Sequence, residues 1–459
     1  QTAVRVVALG SVVAVTRHLQ PDQFGRYSTA AACVLFANFL ADFGTSPAIT
    51  RLSSRSPGEA DRLLSGTLLS SLLLGLIVYA GVVAAAIALY PPLVTMDVAL
   101  AALAVPAAAV VSSLLGALDG EGLIARRAVV TAVQGLIVAG GMVPVFLGAG
   151  VRAPIVAIAI APWVGLVLAW RMARRAGFWK SPLRFDWTRT KALLRTAVPF
   201  GLSGGLTAIT LRFDVILLSV LRPGGETASY DLAVRVIEAG TYLSSAICGP
   251  LLFILSGRIG REDREGASRA FSEAIRVMYL LGLPVSVTLA VLARPLVTLA
   301  FGPGFEDAAT PLAVMGAAQW LAFVIMAQGA LVMAGNAVGR GIVVGAMIAL
   351  VTVVFDLLLV PPFGAVGAAL ATAVAWTFGA IALHHFHRRT HGIRTSLPRP
   401  APLAAAAGMG LVMFLSRDAP LVVPVVLGLL TYVVCLRATG AVSGADVRRI
   451  RSVLARRAA

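Results

Sequence analysis

Among the ionisable side chains inside apolar runs of this 459-residue sequence, seven are singled out: Arg5, Asp42, Arg212, Asp214, Arg235, Glu238 and Asp356. Charge held in hydrocarbon is costly, and such residues mark functional sites by default. Arg5, Arg212 and Arg235 carry a permanent guanidinium charge whose paired donors match phosphate oxygens. They are candidates to bind the phosphate headgroup of a substrate in a water-filled cavity. Asp42, Asp214 and Glu238 are candidates for coupling to a proton or sodium gradient, or for charge pairing. Arg235 and Glu238 are three residues apart, so on a helix they share a face and can pair. Arg212 and Asp214 are two apart and point to different sides; an inward Arg212 leaves Asp214 to meet a partner within its own lobe. The competing reading makes these charges structural pairs that hold helices together, and Asp42 and Asp356, near membrane ends, suit that reading best.

Covalent chemistry has no comparable support. The sequence has no P-loop, no zinc spacing and no dinucleotide-binding glycine pattern in its proper strand context. No enzyme, no cofactor, no metal site and no nucleic-acid partner is expected. His384, His385, His387 and His391 cluster at a helix end and read as a solvated interfacial group rather than a metal site. Cys33, Cys248 and Cys435 fall in apolar runs and read as small packing residues.

The elements that must position these residues are membrane spans. The chain is 58% hydrophobic and only 13% charged, with a mean hydropathy of +0.89, far from the roughly 25% charged of a soluble domain. A bilayer core needs about 20 apolar residues per helix. Apolar runs and polar breaks give about fourteen, near 1–16, 28–50, 63–89, 92–117, 128–148, 153–170, 197–220, 228–256, 274–298, 308–333, 340–360, 364–386, 400–416 and 419–436. Lys and Arg fall on alternate connections, 29 on one set against 6 on the other, so the first set and both termini are expected in the cytoplasm. The chain opens at Gln1 partway through an apolar run, so the native N-terminus is expected upstream. No signal-peptide pattern is visible.

The spans repeat. Laying Tyr230 over Tyr27 at an offset of 203 puts Pro250 on Pro47, Leu255 on Leu52, Ser256 on Ser53 and Arg258 on Arg55 without a gap. Internal symmetry of this kind marks two lobes around a substrate path in transporters. The expected organisation is an N-terminal lobe over 1–170, a basic cytoplasmic linker over 171–196 and a C-terminal lobe over 197–390. Two further spans occupy 391–437, and a basic cytoplasmic tail fills 438–459, patterned as an amphipathic helix that can lie on the inner leaflet. The linker's charge suits anionic lipid headgroups, although topological signalling alone accounts for it. Pro47, Pro199, Gly201, Gly204, Gly205 and Pro250 are hinge candidates, since a missing backbone donor lets a helix bend.

Four motifs then suggest a family. Thr16 to Tyr27, THRLQPDQFGRY, resembles the L-G-P-x-x-F-G-x-Y signature that follows the first helix of polysaccharide-export flippases, departing from it at Gln20, where that family usually has Gly. Ala41 to Ser46 resembles the family's D-x-G-x segment closing helix 2. Arg212-Phe213-Asp214 resembles its helix 7 pattern, and Phe363 to Thr372 its F-G-x-x-G-A-A-x-A-T stretch. The resemblance covers essentially the whole chain and implies the multidrug/oligosaccharidyl-lipid/polysaccharide exporter superfamily. The fold it implies is an all-α polytopic membrane protein of two pseudo-symmetric six-helix lobes, MATE-like, plus two C-terminal helices. The implied cavity is bordered by helices 1, 2, 7 and 8. The implied activity is alternating-access flipping of polyprenyl-(di)phosphate-linked oligosaccharide from the cytoplasmic to the outer leaflet of a bacterial inner membrane. A polysaccharide polymerase and glycosyltransferases are the partners it suggests. The rival readings are an ion-coupled multidrug/cation antiporter of the same fold and a peptidoglycan-precursor flippase.

Overall fold

The computed structural model describes residues 10–55, 60–177, 187–335, 338–390 and 400–440. Arg5, His391 and the tail helix lie outside them, as does part of the basic linker. The described residues are helical, with short 3-10 turns and no strand. A helical segment at 10–16 leads into α1 (Pro21–Asp42) and α2 (Thr45–Arg55), then α3 (Ala60–Leu89), α4 (Pro92–Ala102), α5 (Ala104–Gly120), α6 (Ile124–Gly140) and α7 (Arg152–Arg175). There follow α8 (Trp187–Leu221), α9 (Gly225–Gly260), α10 (Arg264–Val291), α11 (Ala293–Phe301), α12 (Ala309–Ala334), α13 (Val338–Thr390), α14 (Pro400–Leu415) and α15 (Val422–Ala438). The spans expected from 28–50 onward fall on these helices, with 340–360 and 364–386 sharing α13.

Eight helices among the described residues are long and apolar enough to cross a membrane, and up to ten if each of two bent pairs counts as one span. The helices α14 and α15 are apolar but shorter. One of the eight, Gly341–Thr390, has 50 residues; at 1.5 Å per residue that is about 75 Å, more than twice a bilayer core of about 30 Å. It is broken where the sequence requires it. Pro361 and Pro362 remove two backbone donors, and Gly364 turns at φ 54, ψ −131, which a side chain would not tolerate.

The bent pairs carry the internal repeat into three dimensions. α1 and α2 meet at 41° across residues 42–45, and α9 bends by 41° between Ser245 and Ile247. Under the offset of 203, residues 42–45 fall on 245–248, so the two copies bend at equivalent positions. The first break is built by Phe43 (φ 36) and Gly44 (φ 74), both left-handed. A Cβ on Gly201 of α8 would meet the carbonyl oxygen of Phe43 at 2.6 Å, so Gly201 permits backbone contact here. Pro47 lies in the first turn of α2, where it starts a helix rather than hinging one.

The chain divides into two compact units. The first comprises 1–232, 300–305 and 345–368; the second comprises 233–299, 306–344 and 369–459. In the first, Ile49, Leu64, Leu114, Leu118, Val130 and Ala169 form a buried core from α2, α3, α5, α6 and α7. The second holds one core of Phe271, Met278, Phe323 and Leu331 between α10 and α12. A further core there packs Met409, Met413 and Tyr432 of the C-terminal pair on Leu283 and Leu292. Large apolar side chains such as Ile77, Ile87, Phe253 and Leu350 remain exposed, as a lipid-facing surface requires.

Candidate functional site

α8 is where the charges converge. Its apolar run carries Arg212, half-buried, and Asp214, buried, two positions on. The side chains diverge, yet the guanidinium is near enough to act electrostatically on the Asp214 carboxylate. Asp214 Oδ1 accepts from the backbone N–H of Val215 at 2.7 Å, and Oδ2 accepts from the hydroxyl of Tyr230 on α9. Tyr230 is thus the side-chain partner of Asp214.

Two further carboxylates lie close by in the same unit. Asp231, the neighbour of Tyr230, is buried and accepts from the hydroxyl of Ser28 on α1 at 2.8 Å. Their sequence separation is 203, the offset of the internal repeat, so the bond joins equivalent positions of the two copies. Asp356 on α13 has no solvent exposure, and neither carboxylate oxygen has a hydrogen-bond donor. It feels the charge of Asp214. A buried ionised carboxylate without donors is expensive unless a proton or a cation neutralises it. Sequence reasoning placed Asp356 at a membrane end among structural pairs; no pair for it is present among the described residues. Asp231 was missed altogether, although the repeat, which sets it opposite Ser28, was a usable signal.

Asp42 is used differently. Its Oδ1 accepts from Ser46 N at 3.2 Å, Thr45 Oγ1 at 3.3 Å and Ser112 Oγ at 2.5 Å. From the last residue of α1, Asp42 thus satisfies a backbone N–H and a hydroxyl in the first turn of α2, where a carboxylate also complements the helix dipole, with a tie to α5 added. Another buried charge escaped the sequence reading. Asp97, in the apolar run of α4, is fully buried and bridges Arg26 at 2.5 Å; a lone acid in an apolar span was the signal.

In the second unit, Arg235 and Glu238 lie one turn apart on α9, both half-buried, and each makes interactions of its own. Beside them Gln319 of α12 donates to the Ile237 carbonyl at 3.1 Å. Gly240 leaves room for that amide, since a Cβ there would stand 3.2 Å from Gln319 Nε2. The histidine cluster needs a correction. His387 is fully buried, its Nε2 lies 3.0 Å from the Gln328 carbonyl, and its ring stands edge-on to Phe271. It is a packed, bonded residue and not part of a solvated group, because the end of α13 docks on α10 and α12. Among the described residues no three His, Cys, Asp or Glu side chains are grouped to hold a metal.

Comparison with known proteins gives this geometry a setting. The family profile described as polysaccharide biosynthesis protein matches residues 1–253. Over 173 residues the chain is 21% identical to the probable low-salt glycan biosynthesis flippase Agl15 of Haloferax volcanii, a match spanning 38% of this chain and 37% of that relative's length. Among solved structures, the lipid II flippase MurJ in an inward closed conformation superposes with a TM-score of 0.79 at 13% identity, covering 95% of this chain and 96% of that one. An inward-facing multidrug resistance MATE family transporter of the MOP superfamily superposes at 0.68 and 17% identity, over 85% of this chain and 95% of the other. At these identities the likeness to MurJ and MATE is one of fold.

Proposed function

Because the chain belongs to the polysaccharide biosynthesis protein family, we propose that it is a flippase for polyprenyl-(di)phosphate-linked oligosaccharide, moving it from the cytoplasmic to the outer leaflet by alternating access for cell-surface polysaccharide synthesis. The observation that carries this reading is the conjunction of that family with a MurJ-like all-helical fold over 95% of the chain. The named relatives are flippases and transporters rather than enzymes. In this reading Arg212 and Arg235, with Arg5, attract the phosphate headgroup, the sugars pass through a hydrophilic cleft and the prenyl tail stays in lipid. Keeping the headgroup in a cleft avoids the cost of drawing charge and sugar hydroxyls through hydrocarbon. The cell of origin is bacterial, the membrane is the inner one, and both termini face the cytoplasm. Polymerase and glycosyltransferases are the partners this function calls for.

Coupling to an ion gradient belongs to the same proposal. Asp214 and Asp356 are the pair we assign to it. One is satisfied by Tyr230 and the other has no donor, so loading and unloading a proton or sodium ion would change the charge of a buried site. Asp42 is committed to the first turn of α2, and Glu238 remains a candidate for pairing with Arg235. The fold likeness to MurJ favours one alternative, a peptidoglycan-precursor flippase. A leaflet-accessibility assay in proteoliposomes separates the cases. Exposure of a polyprenyl-diphosphate oligosaccharide that requires the protein supports the proposal. Exposure of lipid II alone hands the function to the alternative, and efflux of a cationic dye with neither lipid moved makes the protein a drug antiporter.

A further inference from the structure

A groove in the first unit points to a second lipid, distinct from the substrate. It lies between α3, α5 and α7, encloses about 550 Å³, and is walled by Leu68, Leu72, Val110, Trp163 and Trp170, with Arg171 at one end. That volume is in the range of small-molecule sites, roughly 300–1,000 Å³. The walls are apolar throughout, Arg171 contributing its aliphatic stem. The two ends differ in kind. At one, the Trp163 indole donates to the Leu103 carbonyl at 3.0 Å, at the break between α4 and α5. At the other, Arg171 is exposed, and Arg174 and Arg175 follow it on the last turn of α7. The Arg174 guanidinium lies 5.4 Å from the centre of the Trp170 ring.

Length and charge together select the occupant. From Trp163 to Arg171 the helix rises by about 12 Å, against about 15 Å for one leaflet of a 30 Å hydrocarbon core. The apolar part therefore reaches from the arginine-bearing surface to the middle of the membrane and stops. It fits one acyl chain of one leaflet. At the arginine-bearing end Arg171, Arg174 and Arg175 are cationic. Arg126, which donates to the Met172 carbonyl at 3.0 Å, adds to them, while the acid on the neighbouring helix end, Asp119, is already bridged by Arg127.

We propose that this groove is a binding site for an anionic phospholipid, its acyl chain between Trp163 and Trp170 and its phosphate at Arg171. The proposal needs only that the chain spans a membrane. It holds whichever glycolipid is flipped.

Both tryptophans are reporters. The protein is reconstituted into vesicles in which either phosphatidylglycerol or phosphatidylcholine carries brominated chains, and tryptophan quenching is compared at equal mole fraction. The groove's share is the part removed by Trp163→Phe with Trp170→Phe. Enrichment of the anionic lipid of ~5-fold is expected, the worth of one arginine at the headgroup surface. Arg171→Gln abolishes that preference while phosphatidylcholine still quenches, which shows the groove intact. Should Arg171→Gln lose quenching by both lipids, Arg171→Lys is the deciding variant: it retains the charge and must retain the preference. Equal quenching by the two lipids in the native protein overturns the proposal, as does a preference that survives Arg171→Gln or is lost in Arg171→Lys. Displacement of brominated phosphatidylglycerol by polyprenyl phosphate, but not by unbrominated phosphatidylglycerol, also overturns it and gives the groove to the substrate tail.

Discussion

At the scale of single residues, the arginines and carboxylates of α8, α9 and α13 answer to different measurements. A guanidinium that holds a phosphate is worth about 1.5–3 kcal/mol as a charged hydrogen bond. Arg212→Ala is therefore expected to slow flipping by roughly ten- to a hundredfold while the detergent-solubilised protein stays folded. Arg212→Lys, which keeps the charge but not the paired donors, should recover only part of the rate. Native flipping in Arg212→Ala would return this residue to a structural role. Asp356→Asn gives the opposite pattern. Removing an unpaired buried charge is often neutral or stabilising, so thermal stability should hold or rise. Acceleration of flipping by an imposed proton or sodium gradient should disappear. A gradient response equal to the native one would remove Asp356 from coupling.

At the scale of elements, the breaks are as informative as the helices. Asp42 binds the first turn of α2 and Ser112 of α5, so Asp42→Ala should cost about 1–2 kcal/mol, as the loss of a helix-end acceptor does. It should leave any gradient dependence unchanged. The check is a thermal melt in detergent alongside the coupled assay; lost coupling with native stability would restore Asp42 as a coupling residue. Gly201 makes a separate case, since a Cβ there would strike the Phe43 carbonyl. Gly201→Val should destabilise the first unit by ~1–3 kcal/mol through forced overpacking, seen as a lower melting temperature.

At the scale of the whole molecule, the internal repeat is the organising fact. Equivalent bends of 41° occur in both copies, and within the first unit Ser28 and Asp231, equivalent positions, are hydrogen-bonded. A Cβ on Gly25 would run into the backbone of Gly224, so α1 and the turn leading into α9 are in backbone contact a few residues away. If alternating access separates these elements, a covalent tie must arrest it. In a background without Cys33, Cys248 and Cys435, Ser28→Cys with Asp231→Cys is expected to cross-link on oxidation and stop flipping, and reduction should restore it. Full flipping by the cross-linked protein would mean that this contact persists throughout the cycle.

The sequence by itself determined the membrane class, the helices after the first span, the repeat and its offset, and, of the carboxylates buried among the described residues, Asp214 and Asp356 but not Asp97 or Asp231. Each of these is a property of composition or local order: runs of apolar residues long enough to cross a bilayer, Pro and Gly where the runs break, and a constant spacing between like residues. Tertiary structure decided what each charge does. Asp42 bound the first turn of α2, Asp214 found Tyr230, Arg26 reached Asp97 across 71 residues, Asp356 kept no donor, and His387 was buried against Phe271 and Gln328. These outcomes follow from the rotation and depth at which separate helices pack. A turn of a few tens of degrees exchanges a donor for a methyl group, and no one-dimensional pattern in an apolar span records that angle.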